Sequence, residues 1–192
     1  GRGCHRVSTP APDLSRRLAA ELVGTASLVA VVVGSGIMAQ RLSDDVGLQL
    51  LANSTATVFG LTALIWVFGP TSGAHFNPAG SFADWLMGRL AGGGRASGAL
   101  TGGEVGAYSA AQVVGGIAGA VVANLMFEVP VTELASTDRF AGHLWLSEVV
   151  ATAGLVTLIF ALARTGRGAL SAPAVGFYIG AAYWFTSSTS FA

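Results

Sequence analysis

Lysine does not occur in this chain, cysteine occurs once, and charged residues make up only 10% of its 192 positions. Each scarcity excludes something. A lone Cys4 rules out an internal disulfide framework. Soluble domains carry roughly a quarter charged residues, so so low a content does not suit a surface wetted on every side. Basic and acidic residues balance at ten each, and neither a basic run nor an aromatic platform points to nucleic acid. His5, His143 and Cys4 fall at no metal-ligand spacing, and no metal or cofactor is expected.

What is abundant is apolar surface: 52% of the residues are hydrophobic and the mean hydropathy is +0.63. Crossing a hydrocarbon core of about 30 Å takes about 20 apolar residues, and five stretches approach that, at 18–39, 48–69, 104–126, 145–164 and 172–189. The composition and these runs predict an all-α membrane protein embedded in a lipid bilayer. Residues 77–88 are too short to cross and reach about halfway, at about 1.5 Å per residue. With the N-terminus placed in the cytoplasm, eight Arg fall inside and only Arg41 and Arg139 outside, the bias that sets membrane orientation. The first span is not read as a signal peptide, because it is long, lacks a cleavage site and carries Glu21. Residues 1–15, with Pro10 and Pro12, read as a mobile cytoplasmic tail.

An internal repeat organises the rest. "AELVGTASLVAVV" from Ala20 and "SEVVATAGLVTLI" from Ser147 share Glu, Val, Thr, Leu and Val in register, with Glu21 and Glu148 separated by 127 positions. Three spans and the half-span precede the second copy, and an odd number of crossings makes the repeats inverted, as in many transport folds. The domains are therefore read as 16–126 for the first repeat, 127–144 for an extracytoplasmic connection and 145–192 for part of a second repeat.

The most polar short stretch in the apolar region is "SGAHFNPAGSFADWLMG", Ser72 to Gly88. Asn is a strong helix N-cap and Pro is favoured at the first helical position, so a half-helix should start at Asn77/Pro78 and end near Gly88. The preceding "GPTSGAHF" would be irregular backbone at membrane depth. Such backbone is tolerated only when buried in protein or lining a wet cavity. Ser72, Gly73, Ala74, His75 and Phe76 are thus expected to line a pore, with the Asn77 amide and the positive helix end near the midplane, where they would repel cations and protons.

"SGAHFNPA" is similar to the first signature motif of the major intrinsic protein family, the aquaporins and glycerol facilitators, and Gln112 in "AAQVVGG" matches another family position. The resemblance runs from about Leu18 to Ala192. It implies an aquaporin-like inverted-repeat bundle acting as a passive channel for water or small neutral solutes, assembled as a homotetramer in a bacterial inner membrane. Asn77, Pro78 and Ala79 would form the first midplane constriction, and Glu21 and Glu148 would accept hydrogen bonds from the two re-entrant loops. Family spacing puts Thr57 at one corner of the selectivity filter and Tyr183, or Ala182, at another. A small polar Thr57 implies a filter wider than in strict water channels. "AAYWFTSSTSFA" resembles bacterial members associated with arsenic resistance, which adds arsenite-like hydroxides to the conceivable solutes.

Two departures qualify the match. "GSFAD" replaces the usual residues after the motif: Gly80 in a short helix costs about 1 kcal/mol against Ala, and Asp84 is read as facing water at the cytoplasmic mouth. The second NPA motif, the filter Arg and the sixth span are expected beyond Ala192. Plainer roles are assigned elsewhere. Glu21 and Glu148 are structural acceptors rather than a proton relay, and His75 is a hydrogen-bonded structural residue. Gly115, Gly116, Gly119 and Ala120 form a close-packing face, and Asn53, Ser54, Thr55 and Thr57 are interhelical hydrogen-bonders. Trp66, Trp85, Trp145 and Trp184 anchor span ends. Two other classes compete: a non-conducting structural membrane protein, and an intramembrane hydrolase using Ser72 or Ser81 with His75. If the missing motif is needed for a pore, proteoliposomes holding only these 192 residues should show no solute-selective swelling.

Overall fold

A computed structural model describes residues 12–92, 98–131 and 140–186. All regular structure among them is helical: α1 (Leu14–Leu42), α2 (Val46–Ser72), α3 (Pro78–Leu90), α4 (Gly102–Met126), α5 (Gly142–Arg164) and α6 (Ser171–Phe185), with a single 3-10 turn at Gly168–Leu170. Four of these, α1, α2, α4 and α5, are long and apolar enough to cross a membrane. These helices make the all-α membrane bundle that the composition predicts.

Local chemistry sets the helix starts. Asp13 accepts the Arg16 N–H at 2.9 Å, so α1 begins at Leu14, inside the stretch read as tail; residues 1–11 lie outside the described residues. The Arg16 N–H, and secondarily the Ser15 hydroxyl, hold the Asp13 carboxyl below its ordinary range. Asp45 caps α2 through Leu48 N–H at 2.9 Å. A reciprocal capping box starts α4: Thr101 N–H donates to Glu104 at 2.7 Å, and Glu104 N–H to Thr101 Oγ1 at 3.3 Å.

Two helices differ from the sequence reading. α2 runs through Pro70 to Ser72, so Ser72 is the last helical residue rather than part of the irregular segment. α6 has 15 residues, about 22 Å at 1.5 Å per residue, because Thr186 turns extended at φ −120° and ψ 157°. It is shorter than the span read at 172–189, whose last three residues lie outside the described residues.

α1 is the hub, packing along both α4 and α2; α2 also meets α6, α6 meets α5, and α3 rests mainly on α4. The α1–α4 seam is a backbone contact. A methyl group at Gly115 would overlap the Leu22 carbonyl, and one at Gly119 the Ala26 carbonyl. Small residues four apart let the helices approach this closely. Large side chains such as Phe59, Val67, Val113, Ile117, Val149 and Phe177 point outward, as suits a lipid-solvated surface.

The seam generates a comparison of opposite signs. Gly119→Ala should lower the thermal midpoint in detergent, since overpacking costs about 1–3 kcal/mol. Gly103→Ala, where nothing lies within 4 Å, should leave it unchanged or raise it, because Ala in a helix gains roughly 0.5–1 kcal/mol over Gly.

Candidate functional site: a re-entrant loop held by one carboxylate

Between α2 and α3 the chain leaves the helix for five residues. Gly73 closes α2 in the left-handed region at φ 91°, donating its N–H to the Gly69 carbonyl at 3.0 Å. Ala74 and Phe76 also have positive φ, 52° and 50°. For residues with a Cβ this costs about 1–2 kcal/mol each, so the surroundings must impose it.

Glu21 imposes it. Its Oε1 accepts from Ser72 Oγ at 2.6 Å and from His75 N–H at 3.0 Å. Its Oε2 accepts from Phe76 N–H at 2.8 Å and from Gln112 Nε2 at 2.8 Å. The side chain is wholly buried, and a carboxylate, which only accepts, suits four donors. Behind the loop, the Phe76 ring covers Gly24, where a Cβ would overlap it, and joins an apolar cluster with Leu61, Val175, Ile179 and Tyr183.

Around Glu21 lies a wider polar set. Gln112 Nε2 also donates to Ser81 Oγ at 3.0 Å, and Ser81 Oγ lies 3.1 Å from His75 Nδ1. Ser81 Oγ also lies 3.3 Å from the Asn77 carbonyl. Tyr108 donates to the Ser72 carbonyl at 3.0 Å and accepts from Arg17 Nε at 2.8 Å, and Arg17 pairs with Glu104 at 2.9 Å. Gln112 Oε1 and Thr25 Oγ1 are buried with no described partner.

Asn77 starts the half-helix. Its Oδ1 accepts the Ala79 N–H at 2.8 Å, Pro78 occupies the first helical position, and α3 runs two residues past the expected end at Gly88. Ala79 is exposed and Asn77 partly so. No donor among the described residues reaches the carbonyl oxygens of Gly73, Ala74, His75 or Phe76. Of the residues expected to line a pore, Ser72 and Phe76 have buried side chains, each 6% exposed: one turns to Glu21 and the other to the apolar cluster. Asp84 accepts the Leu100 N–H at 2.8 Å, tying α3 to the segment before α4 while staying partly exposed.

The expected filter residues meet on the other side of α2. Thr57 Oγ1 lies 3.0 Å from Tyr183 OH and donates to the Asn53 carbonyl at 2.9 Å, which makes Tyr183 the donor between the two hydroxyls. Ala182, beside them, is buried. A recess of about 210 Å³ opens nearby, lined in part by Gln40, Gln49, Asn53 and Tyr183. Asn53 bridges to α1, donating to the Val32 carbonyl at 2.7 Å; Thr55, also expected to bridge helices, instead donates to Leu51 of its own helix at 2.7 Å. Glu148 is half-buried on α5.

The arrangement speaks against the hydrolase reading. Ser81 does sit beside His75, but it is wholly buried and takes a further hydrogen bond from Gln112. Sequence reasoning did not assign Arg17, Tyr108 or Ser81 to the loop. Tyr108 and Ser72 are 36 positions apart, and Arg17 and Tyr108 are 91 apart, which no local pattern reveals; the one available hint was Tyr108 four residues before Gln112 on one helix face.

A broken helix stapled by a buried acid from a repeated span is the architecture of an intramembrane transport protein. The family model for the major intrinsic proteins matches residues 8–190, and the chain belongs to that family. It is 49% identical over 94% of its length to the aquaglyceroporin AqpS of Rhizobium meliloti (strain 1021), of which the match covers 72%. It is 38% identical over 67% of its length to aquaporin Z of Photorhabdus laumondii, covering 51% of that protein. It is also 28% identical over 91% of its length to the glycerol uptake facilitator protein of Pseudomonas aeruginosa, covering 66% of it.

Glu21→Gln tests the staple. The new amide would turn two donors into a ring of donors, stranding two of them at roughly 1–3 kcal/mol each. The variant should lose several degrees of thermal midpoint and much of its yield of monodisperse protein in detergent.

Proposed function

We propose that this protein is a passive channel for water and small uncharged polyols, conducting through a passage that runs along Gly73 to Asn77. The observation that carries the reading is the way Glu21 consumes the loop's N–H groups. With the donors of His75 and Phe76 turned inward to Glu21, the four carbonyls from Gly73 to Phe76 are left as a row of acceptors for a permeating hydroxyl or water. Asn77, Pro78 and Ala79 stand at the head of α3, where the helix dipole and amide donors oppose cations.

Thr57, Tyr183 and Ala182 form the selectivity filter in this reading. With the Thr57 proton on the Asn53 carbonyl and the Tyr183 proton on Thr57 Oγ1, the filter offers a solute lone pairs and apolar ring surface more than donors. That suits polyols and neutral hydroxides such as arsenite. The likeness to proteins named aquaglyceroporin and glycerol uptake facilitator supports the same solute class. A homotetramer in a bacterial inner membrane, with the N-terminus in the cytoplasm, completes the proposal.

Stopped-flow light scattering on proteoliposomes tests it with the protein at its full natural length. Water and glycerol permeability should rise above that of empty vesicles, and Asn77→Leu should cut both roughly tenfold, a barrier increase of about 1.4 kcal/mol. Equal flux through Asn77→Leu would remove Asn77 from the pathway.

A further inference from the structure

We infer that Tyr108, held in place by the Arg17–Glu104 ion pair, is a second positioning residue for the pore loop and tunes how well the channel passes polyols relative to water. The inference rests on the channel reading above.

The Ser72 carbonyl is the last of α2 and has no partner within its own helix, as all helix-end carbonyls lack one. Tyr108 satisfies it with a 3.0 Å hydrogen bond. The Tyr108 side chain is wholly buried, and its ring also lies 5.5 Å from that of His75. It therefore touches the loop at its first peptide and at its third side chain. Glu21 reaches the same loop from α1 through N–H groups and the Ser72 hydroxyl; Tyr108 reaches it from α4 through a carbonyl. The two anchors hold one residue, Glu21 through the Ser72 hydroxyl and Tyr108 through the Ser72 carbonyl, where the chain enters the run of loop carbonyls.

Tyr108 has one proton, and the Ser72 carbonyl takes it. What remains on the phenol is acceptor capacity, which Arg17 Nε meets at 2.8 Å while Arg17 Nη1 meets Glu104 at 2.9 Å. The planar guanidinium makes both bonds in fixed geometry; the single nitrogen of a lysine could not. Glu104 is in turn held by the capping box at the start of α4. A continuous set of bonds thus runs from a partly exposed ion pair, with side chains 22% and 14% accessible, to the wall of the passage. A polyol needs several carbonyls aligned at once whereas water needs one at a time, so loosening the first peptide should penalise the polyol more.

The test measures glycerol and water permeability per channel for the full-length protein in proteoliposomes, with the amount reconstituted determined by quantitative immunoblot. Tyr108→Phe keeps the ring and removes both hydroxyl bonds; it should lower the glycerol-to-water ratio about fivefold, the weight of one net hydrogen bond. Glu104→Gln retains the capping-box acceptor but removes the charge that holds Arg17, and should shift the ratio in the same direction by less. A ratio unchanged in both variants, or a fall in thermal midpoint alone, overturns the inference and leaves Tyr108 as a helix staple. No flux from the unaltered protein would instead defeat the channel reading, and this inference with it. Should Tyr108→Phe fail to fold, Glu104→Gln decides by the same ratio.

Discussion

Backbone that leaves a helix inside a bilayer has no water to satisfy it, and every unpaired N–H there costs several kcal/mol. The structure meets that constraint with one side chain. Glu21 stands wholly buried on α1 and takes four hydrogen bonds, two of them from loop N–H groups. The left-handed backbone of Ala74 and Phe76, the burial of the Phe76 ring, the seat of Gln112 and the entry into α3 all follow from where that carboxylate sits. Its own position is set by α1, which is why α1 must be the best-packed helix.

The division of labour within the loop follows from donor and acceptor counts. A carboxylate can only accept, so it draws in N–H groups and leaves carbonyls for something else. Tyr108 takes the single carbonyl at the α2 terminus. Ser81, His75 and Gln112 close among themselves around the base of α3. The polar residues of this region thus separate into those that satisfy each other and the short run that remains available to a solute.

Much of this was legible in the sequence because it depends on short-range rules. The half-helix was readable from Asn77 and Pro78, since capping and proline preference act within one turn. The repeat was readable because Glu21 and Glu148 are rare acids in apolar spans, and the small residues at Gly115 and Gly119 were readable as a packing face. Signals that misled were also local. The second span was read to end at residue 69, yet α2 runs on through Pro70 to Ser72. What sequence could not supply were contacts between distant segments, such as Arg17 with Tyr108 or Tyr108 with Ser72, because these are set by how helices cross and not by what any one of them contains.

The contact of Gly115 and Gly119 with the α1 main chain has a mechanical meaning. Peptide planes that touch directly have no side-chain layer between them to shear, so sliding α1 along α4 by even part of a turn would drive carbonyls into Cα atoms. Those two helices behave as a single stiff rail, and α6 meets α2 in a similar way, since a methyl group at Gly176 or Gly180 would overlap Thr62 or Val58.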